Sequence, residues 1–145
     1  MSYEFVKSTL VSVAANSAVA AQTALNTAVL DMDGFDAVTF ICKLNTVTDT
    51  SILTLTAYEN TTSSTSNATA VTGGASTAVT ASTSSNTIIV VDVIRPKMRY
   101  CFASLTRTVA NCVVDSIIAL QYRAREVPVT QPAAVIAAQL STPEV

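Results

Sequence analysis

Short apolar segments rich in Val, Ile, Thr and aromatic residues recur along the chain about every 10 to 15 residues, with Asn, Asp, Ser, Gly or Pro between them. This spacing suits strands of ordinary length, and the residue types favour strands over helices. Strands that follow one another without long helical patterns pair in antiparallel fashion. The sequence therefore predicts an all-β fold, an antiparallel two-sheet β-sandwich.

We expect the sandwich domain to occupy residues 1–125. Its strands are predicted at Tyr3–Val13, Ser17–Leu30, Asp36–Leu44, Ser51–Glu59, Ala68–Val79, Thr87–Ile94, Arg99–Val109 and Val113–Arg125. The alanine-rich second segment would suit a helix equally well. Two runs, Ile88–Val91 and Ile117–Leu120, are apolar on both faces, which predicts central strands covered on both sides by a second layer or by a partner.

Residues 60–86 form a tract dominated by Ser, Thr and Asn. Within it Gly73–Gly74 marks a turn, flanked by the short apolar pairs Ala70–Val71 and Ala78–Val79. We expect either a hydroxyl-rich hairpin that projects from the sandwich or a surface loop.

The last segment, residues 126–145, is expected to be an extended arm. Its prolines break any long helix or central strand, and its apolar residues are out of place in a solvated linker. Such an arm reaches on the order of 60 Å at about 3.3 Å per residue, enough to lie on a neighbouring molecule. The residues expected to make this interchain contact are Val129, Pro132, Val135, Ile136 and Leu140.

Charged residues are few and unevenly placed. They make up 12% of the chain, the net charge is −2, and acidic side chains gather in the first half while basic ones gather in the second. They are either solvated turns and strand ends or complementary patches at a subunit contact. The basic residues of this candidate electrostatic contact are Arg95, Lys97, Arg99, Arg123 and Arg125. Without a general basic surface, no nucleic-acid partner is expected.

The residue types needed for catalysis and metal binding are sparse. The chain has no histidine, which is the usual general base and a common zinc ligand. Cys42, Cys101 and Cys112 lie in apolar strand-like runs, match no zinc pattern, and are expected to be small buried hydrophobes. We therefore expect no catalytic, metal or cofactor site, and no enzyme activity.

The remaining candidates for chemistry are carboxylates. Asp92 and Asp115 lie inside apolar strands, and we expect each to point to solvent or to pair with an arginine such as Arg99 or Arg107. The segment Asp31–Asp36 faintly resembles a calcium loop, but its glycine comes early and no distant glutamate follows. We expect a turn between two strands there.

No run approaches the roughly 20 apolar residues of a membrane span, so no membrane partner is expected. Met1–Gln22 has some features of a signal peptide, but Glu4 sits in its basic region and Ser12 and Asn16 interrupt a short apolar stretch. We expect production in a cytosol, where thiols stay reduced.

The order of segments from Leu30 to Arg125, roughly two thirds of the chain, resembles a family of small tailed-bacteriophage head proteins. The resemblance rests on Gly34–Phe40, on Leu53–Glu59, on the polar tract that follows, and on Arg95–Tyr100. The chain departs from the family pattern where Ile94–Lys97 replaces a glycine-rich approach to the Arg-Tyr strand. Its C-terminal extension is also long.

This resemblance implies a cement or decoration protein, a β-sandwich often of jelly-roll type, on the capsid exterior of the virion. The implied partners are the major capsid protein and copies of the chain itself, as a dimer or trimer. The alternative is a binding module for a host receptor or glycan that uses the hairpin at residues 60–86.

Overall fold

A computed structural model describes residues 4–75, 79–80 and 85–138 of the chain. Across these residues the chain forms one short helix and eleven strands. The helix α1 is Phe5–Ser8, and the strands are β1 Leu10–Ala15, β2 Ala18–Ala21, β3 Leu25–Asn26, β4 Leu30–Asp31, β5 Phe35–Val47, β6 Ile52–Asn60, β7 Thr69–Ala75, β8 Val79–Thr80, β9 Ile88–Ile94, β10 Tyr100–Thr108 and β11 Cys112–Ala124.

The strands form two antiparallel sheets. Sheet A has the order β1–β11–β5–β9, with β2 also paired to β11, and sheet B has the order β3–β10–β6–β7, with β4 paired to β10 and β8 to β6. When β1 with β2, β3 with β4 and β7 with β8 are each counted as one interrupted strand, this is the eight-strand, two-Greek-key order of a jelly roll. The predicted antiparallel β-sandwich of jelly-roll type is confirmed.

The core lies between the inner faces of the two sheets, because the long strands alternate buried and outward residues. In β5 the inward residues Val38, Phe40 and Leu44 are fully buried, and Leu53 and Leu55 of β6 meet them from sheet B. Full burial of each such side chain contributes about 1.5–3 kcal/mol. In the sequence, Val38, Phe40, Cys42 and Leu44 recur at every second position, which predicts that they share one face of a strand. The structure confirms this and places that face in the core.

The three cysteines are free and buried in this core, as predicted. Burial raises the pKa of the Cys42 and Cys101 thiols to about 12 and also raises the pKa of Cys112. A thiol held in its neutral form packs as a small apolar side chain.

The buried Arg107 side chain joins the two sheets. Its Nε donates to the Thr23 carbonyl at 2.8 Å, and Nη1 donates to the carbonyls of Val19 and Cys112 at 3.0 and 2.9 Å. A buried guanidinium needs such acceptors, because unpaired donors away from water are costly. Arg107 thus fixes the crossing from β2 to β3. It does not pair with Asp92 or Asp115, which was one of the two alternatives predicted for those carboxylates.

The predicted segments at the N-terminal end differ most from the structure. Instead of one strand over Tyr3–Val13 there is α1 followed by β1, and Tyr3 lies outside the described residues. Instead of one strand over Ser17–Leu30 the chain makes β2, β3 and β4, the first in sheet A and the other two in sheet B. The segment crosses between sheets, so it cannot stay extended in one ladder.

The Ser/Thr tract does not form the predicted hairpin around Gly73–Gly74. Both glycines lie within β7, and Gly73 has φ +75°. β7 and β8 both pair with β6, so they continue one edge of sheet B rather than pairing with each other. Residues 76–78 and 81–84 of the tract lie outside the described residues.

Two further predictions have different outcomes. Asp33 and Gly34 form the turn between β4 and β5, as predicted, with the Asp33 N–H donating to Asp31 Oδ1 at 3.0 Å and Gly34 at φ +89°. The prediction that Ile88–Val91 is a central strand is wrong, because β9 lies at an edge of sheet A. Apolar residues on both faces indicate that both faces of a strand can be covered. They do not indicate how many neighbouring strands it pairs with.

The raised thiol pKa values predict loss of stability in alkali. In the unfolded chain Cys42 ionises near its ordinary value of 9.0, whereas in the fold it stays protonated to about pH 12. Stability is therefore unaffected by this thiol below about pH 9 and falls by up to about 1.4 kcal/mol per pH unit above it. We expect Cys42→Ala to be less stable than wild type at pH 8 but to lose less between pH 9 and 10.5 in urea unfolding. Equal losses in both proteins would contradict this.

Candidate assembly surfaces

The outer face of sheet A carries a row of apolar side chains that crosses four strands. Val13 of β1 pairs with Ile118 of β11, Ile118 with Ile41 of β5, and Ile41 with Val90 of β9. Directly opposite residues on one face of antiparallel strands have Cβ atoms about 5 Å apart, so the row is continuous. We call the following set the apolar face: Val11, Val13, Ile41, Ile88, Val90, Ile118 and Leu120.

Several side chains of the apolar face are open to water. Val13 is 44% exposed, Ile88 58% and Val90 55%, while Ile41 and Ile118 between them are half-buried. Scattered exposed aliphatic residues are ordinary, but a continuous patch of them marks an interaction surface.

A polar cluster borders the apolar face on one side. Asp92 Oδ1 accepts hydrogen bonds from Thr39 Oγ1 and from the Tyr122 hydroxyl, both at 2.7 Å. Partial burial, and then the hydrogen bond to Asp92, raise the pKa of Tyr122. Asp92 is thus exposed to solvent, which is one of the two predicted alternatives, and its partners are hydroxyls rather than an arginine.

A second polar cluster borders the other side. Asp115 accepts from Asn45 Nδ2 at 2.9 Å and from Lys43 Nζ at 3.2 Å, and these two hydrogen bonds hold the pKa of Asp115 below its usual range. Its cationic partner is a lysine, not Arg99 or Arg107. An apolar centre with a polar rim is the ordinary anatomy of a protein interface.

The outer face of sheet B has the opposite character. Thr54 of β6 stands opposite Thr106 of β10, and Thr56 stands opposite Ser104. Thr106 is exposed and Thr54 and Thr56 are half-buried, so their hydroxyls can bond to water, whereas Ser104 is buried within the chain. The two outer faces of the sandwich therefore differ in chemistry, one aliphatic and one hydroxylic.

An aromatic pair lies at one end of the hydroxyl face. The rings of Tyr58 and Phe102 are stacked with centroids 5.2 Å apart, and the cleft beside them is also lined by Asn26, Thr65 and Asn67. Rings together with amide and hydroxyl groups can contact a sugar, which presents apolar faces and hydroxyl edges.

The start of the predicted arm is attached to the N-terminal end of its own chain through Gln131. Gln131 Oε1 accepts from the Val11 N–H at 2.9 Å, and Nε2 donates to the carbonyls of Val6 and Thr9 at 2.9 and 2.6 Å. The Val129 N–H adds a bond to the Lys7 carbonyl at 2.7 Å. We call this set of bonds the glutamine clip. No sequence pattern predicts it, because a glutamine beside a proline looks like a linker residue.

Beyond the clip the arm becomes more exposed. Pro132 and Val135 are half-buried, with the Val135 N–H donating to the Pro132 carbonyl at 2.9 Å, and Ile136 is fully exposed. Leu140 lies outside the described residues. The arm residues chosen from the sequence therefore divide into Val129, held by its own chain, and the exposed part after Pro132. Their role in an interchain contact stays a prediction.

Two of the five predicted basic residues are paired within the chain. Arg99 donates to both carboxylate oxygens of Asp31 at 2.9 and 2.8 Å, and Arg125 donates to Asp36 at 3.1 Å. The hydrogen bonds from Arg99, and then from the Asp33 N–H, lower the pKa of Asp31. Acidic residues from the first half of the sequence and basic residues from the second half thus form ion pairs within one chain.

The other three basic side chains are exposed. Arg95 and Lys97 share a cleft with Arg99 and Arg125 at one end of the sandwich, whereas Arg123 does not line it. The backbone of this loop is fixed, because the Lys97 N–H donates to a carboxylate oxygen of the buried Glu59 at 2.7 Å. An intermolecular role for these basic residues stays a prediction.

Two other kinds of site are absent from the described residues. No cluster of three or more His, Cys, Asp or Glu side chains there could hold a metal ion. Among the helices that the structure describes, none has the length and apolar character to span a membrane.

The glutamine clip leads to a test by hydrogen exchange. We expect Gln131→Ala to speed hydrogen exchange at the amides of Val11 and Val129 at least tenfold. The Val11 N–H loses its acceptor, and the bond from the Val129 N–H to Lys7 loses the neighbouring contacts that hold the arm in place. Global stability should fall by about 1 kcal/mol or less, since the core is untouched. Thr130→Ala, at the exposed neighbour, is the control and should leave both amides protected. Unchanged exchange in Gln131→Ala would show that the arm is not held there.

No protein-family model and no curated protein matches the chain. Among solved structures, it is similar to a chain in the structure of the Gx strain of infectious bursal disease virus, with TM-score 0.51, 11% identity, and coverage of 83% of this chain and 33% of the viral one. It therefore spans a third of that viral chain. It is also similar to a chain from Bacillus endospore appendages, described as a novel family of disulfide-linked pili, with TM-score 0.49, 15% identity, and coverage of 79% and 88%. At such low identity, the viral likeness concerns the fold alone.

Proposed function

We propose that the chain is a non-enzymatic structural subunit of a virion, a cement or decoration protein on the outside of a tailed-bacteriophage head. In this role it binds the major capsid protein and copies of itself. The observation that carries the proposal is the apolar face, a rimmed aliphatic surface on one side of a jelly roll whose other side is hydroxylic. A molecule with one aliphatic and one hydroxylic side suits a position on a surface, with the first side against the shell and the second against water.

The strength of such a contact can be bounded from the exposed side chains. Full burial of one exposed Val or Ile contributes about 1.5–3 kcal/mol. Val13, Ile88 and Val90 are each about half exposed, so covering all three contributes roughly 2–5 kcal/mol before the cost of association. One copy alone would bind weakly. Weak contacts suffice in a shell, because many linked copies multiply their effect.

Two of the four segments that resemble the phage head family lie together at one end of the sandwich. Gly34–Phe40 begins β5, and Arg95–Tyr100 leads into β10. The Arg95 N–H donates to the Asp36 carbonyl at 2.7 Å, and Arg99 pairs with Asp31 at the start of the β4–β5 turn. These two segments therefore close this end of the fold, while Leu53–Glu59 runs along β6. The presence of the same fold in a virus structure also supports the proposal.

The arm is proposed as a second contact, made by strand addition or by docking into a groove of a neighbouring capsid subunit or sister copy. The glutamine clip restricts this role to the residues after Pro132, because the segment before it is attached to its own domain. Fully exposed Ile136 is the first anchor that the arm offers to a neighbour.

The docking role of the apolar face is tested by sedimentation with capsids stripped of accessory proteins. We expect Val13→Glu to weaken co-sedimentation at least tenfold, because a carboxylate would have to be desolvated at the contact. Thr106→Glu places the same charge on the exposed hydroxyl face and is the matched control, expected to bind as wild type does. If Val13→Glu binds like Thr106→Glu, the apolar face is not the docking surface.

A truncation tests the arm without disturbing the clip. Removing residues 133–145 leaves Gln131 and its bonds in place, so the fold and its thermal midpoint are expected to stay within a few degrees of wild type. Capsid occupancy at limiting protein concentration is expected to fall, since the exposed apolar residues of the arm are gone. Unchanged occupancy would remove the arm from the proposal.

The Tyr58 and Phe102 cleft favours a second function, a virion-surface module that binds a receptor glycan. Binding of the chain to immobilised glycans, lost in Thr65→Ala but kept in Val13→Glu, would favour this function. Thr65 is exposed and lines the cleft without forming the aromatic stack, so its replacement leaves the stack in place.

A further inference from the structure

The edges of the two sheets differ in how they are protected from pairing with another chain. An unprotected edge strand presents a row of free N–H and C=O groups, and proteins blunt such edges with short strands, bulges, prolines, charges or covering segments. In sheet B, one edge consists of the two-residue strands β3 and β4. Neither offers enough length for a ladder.

The other edge of sheet B is interrupted by a bulge. The step of two residues from Thr56 to Tyr58 on β6 is matched by a step of five residues from Ala70 to Ala75 on β7. Gly73 lies inside this bulge with φ +75°. A strand bent in this way is a poor template for another strand.

One edge of sheet A is covered by the arm. On the outer side of β1, the Val11 N–H donates to Gln131 Oε1 instead of to another strand. The Pro128 to Pro132 segment holds that glutamine in place through the Val129 bond. The glutamine clip thus caps the β1 edge.

β9 has only one of these protections in the described part of the chain, the charge of Asp92. That carboxylate already accepts hydrogen bonds from Thr39 and Tyr122 of its own sheet. It runs for seven residues, Ile88–Ile94, pairs with β5 in an unbroken register, and contains no proline, glycine, lysine or bulge. Its outward residues Ile88, Val90 and Ile94 are each more than half exposed. Such an edge is a ready template for another strand.

Hydrogen bonds at the ends of β9 show which backbone groups are free. The Arg95 N–H donates to the Asp36 carbonyl, and the Leu44 N–H donates to the Thr87 carbonyl. Because bonded pairs alternate in an antiparallel ladder, the odd-numbered residues of β9 bond to β5. The N–H and C=O groups of the even-numbered residues then point to the free edge. They are Ile88, Val90, Asp92 and Ile94.

We propose that two copies of this chain pair in antiparallel fashion through their β9 edges, with Ile88 opposite Ile94 of the second copy and Val90 opposite Asp92 of the second copy. This register matches all four outward residues of each copy, whereas a shift by two residues in either direction leaves some unmatched. One of these shifts also places the two Asp92 carboxylates opposite each other, which is unfavourable. The pairing joins the two A sheets into one, with both apolar faces on the same side.

This inference deepens the self-association in the proposed function, but it does not depend on a capsid. The test therefore uses the purified chain alone. Light scattering across a concentration series is expected to give twice the mass of one chain for wild type. A monomer at every concentration would overturn the pairing and leave the capsid-binding tests unaffected.

Two charge substitutions at Val90 test the register. Val90→Asp places a carboxylate opposite Asp92 of the second copy, and we expect at least a tenfold weaker dimer. Val90→Lys removes the same apolar side chain but places an ammonium opposite that Asp92, and it is expected to remain a dimer whose stability falls with salt. Equal loss in both variants would overturn the register, as would equal retention, because either result means that Asp92 of the second copy does not face residue 90.

A backbone variant tests the edge directly. Val90→Pro removes an N–H that points away from β5, so the monomer keeps its ladder while the edge loses a donor. Val90→Thr keeps the N–H and is the matched control. We expect a monomer from the first and a dimer from the second, with hydrogen exchange at Val91 confirming an intact β5 ladder in each. A dimer of Val90→Pro with that ladder intact would overturn the proposal.

Discussion

The pairing of β5 with β11 at the centre of sheet A is the contact on which the rest of the structure depends. Each strand is 13 residues long, and each has aliphatic residues on both faces. One face of this pair fills the core against sheet B. The other cannot be buried by the same sandwich, because a strand has two faces and the fold has only two layers. The apolar face is thus a direct result of the composition of the two central strands.

Arginine side chains hold the loops at both ends of the sandwich around this central pair of strands. Arg107 uses its donors on backbone carbonyls around the β2–β3 crossing, which brings β2 and β3 into place beside β11 and β10. Arg99 and Arg125 close the opposite end against Asp31 and Asp36. These surface ion pairs contribute little energy each, about 0–1 kcal/mol, so they orient loops more than they stabilise the fold.

Period-two patterns in the sequence were sufficient to predict the sandwich, the inner face of β5 and the approximate bounds of β6, β9, β10 and β11. They could not show that β9 lies at an edge, because periodicity reports the faces of a strand and carries no information about its lateral neighbours. The sequence predicts a turn at Gly73, whereas the structure has a bulge there. Glycine suits both, because each requires a positive φ, so its presence does not distinguish them. The glutamine clip joins residues about 120 positions apart, and no local pattern encodes such a contact.

The long separation in the glutamine clip also sets an order of events during synthesis. Gln131 leaves the ribosome well after Val11, and at about 5–20 residues per second the interval is on the order of ten seconds. β1 gains its neighbour β11 only when residues 112–124 have emerged, so for most of that time both of its edges are bare. Its outer edge then stays bare until Gln131 follows. Within one chain the β1 edge is therefore covered late, and until Gln131 arrives it is open to pairing with a wrong strand.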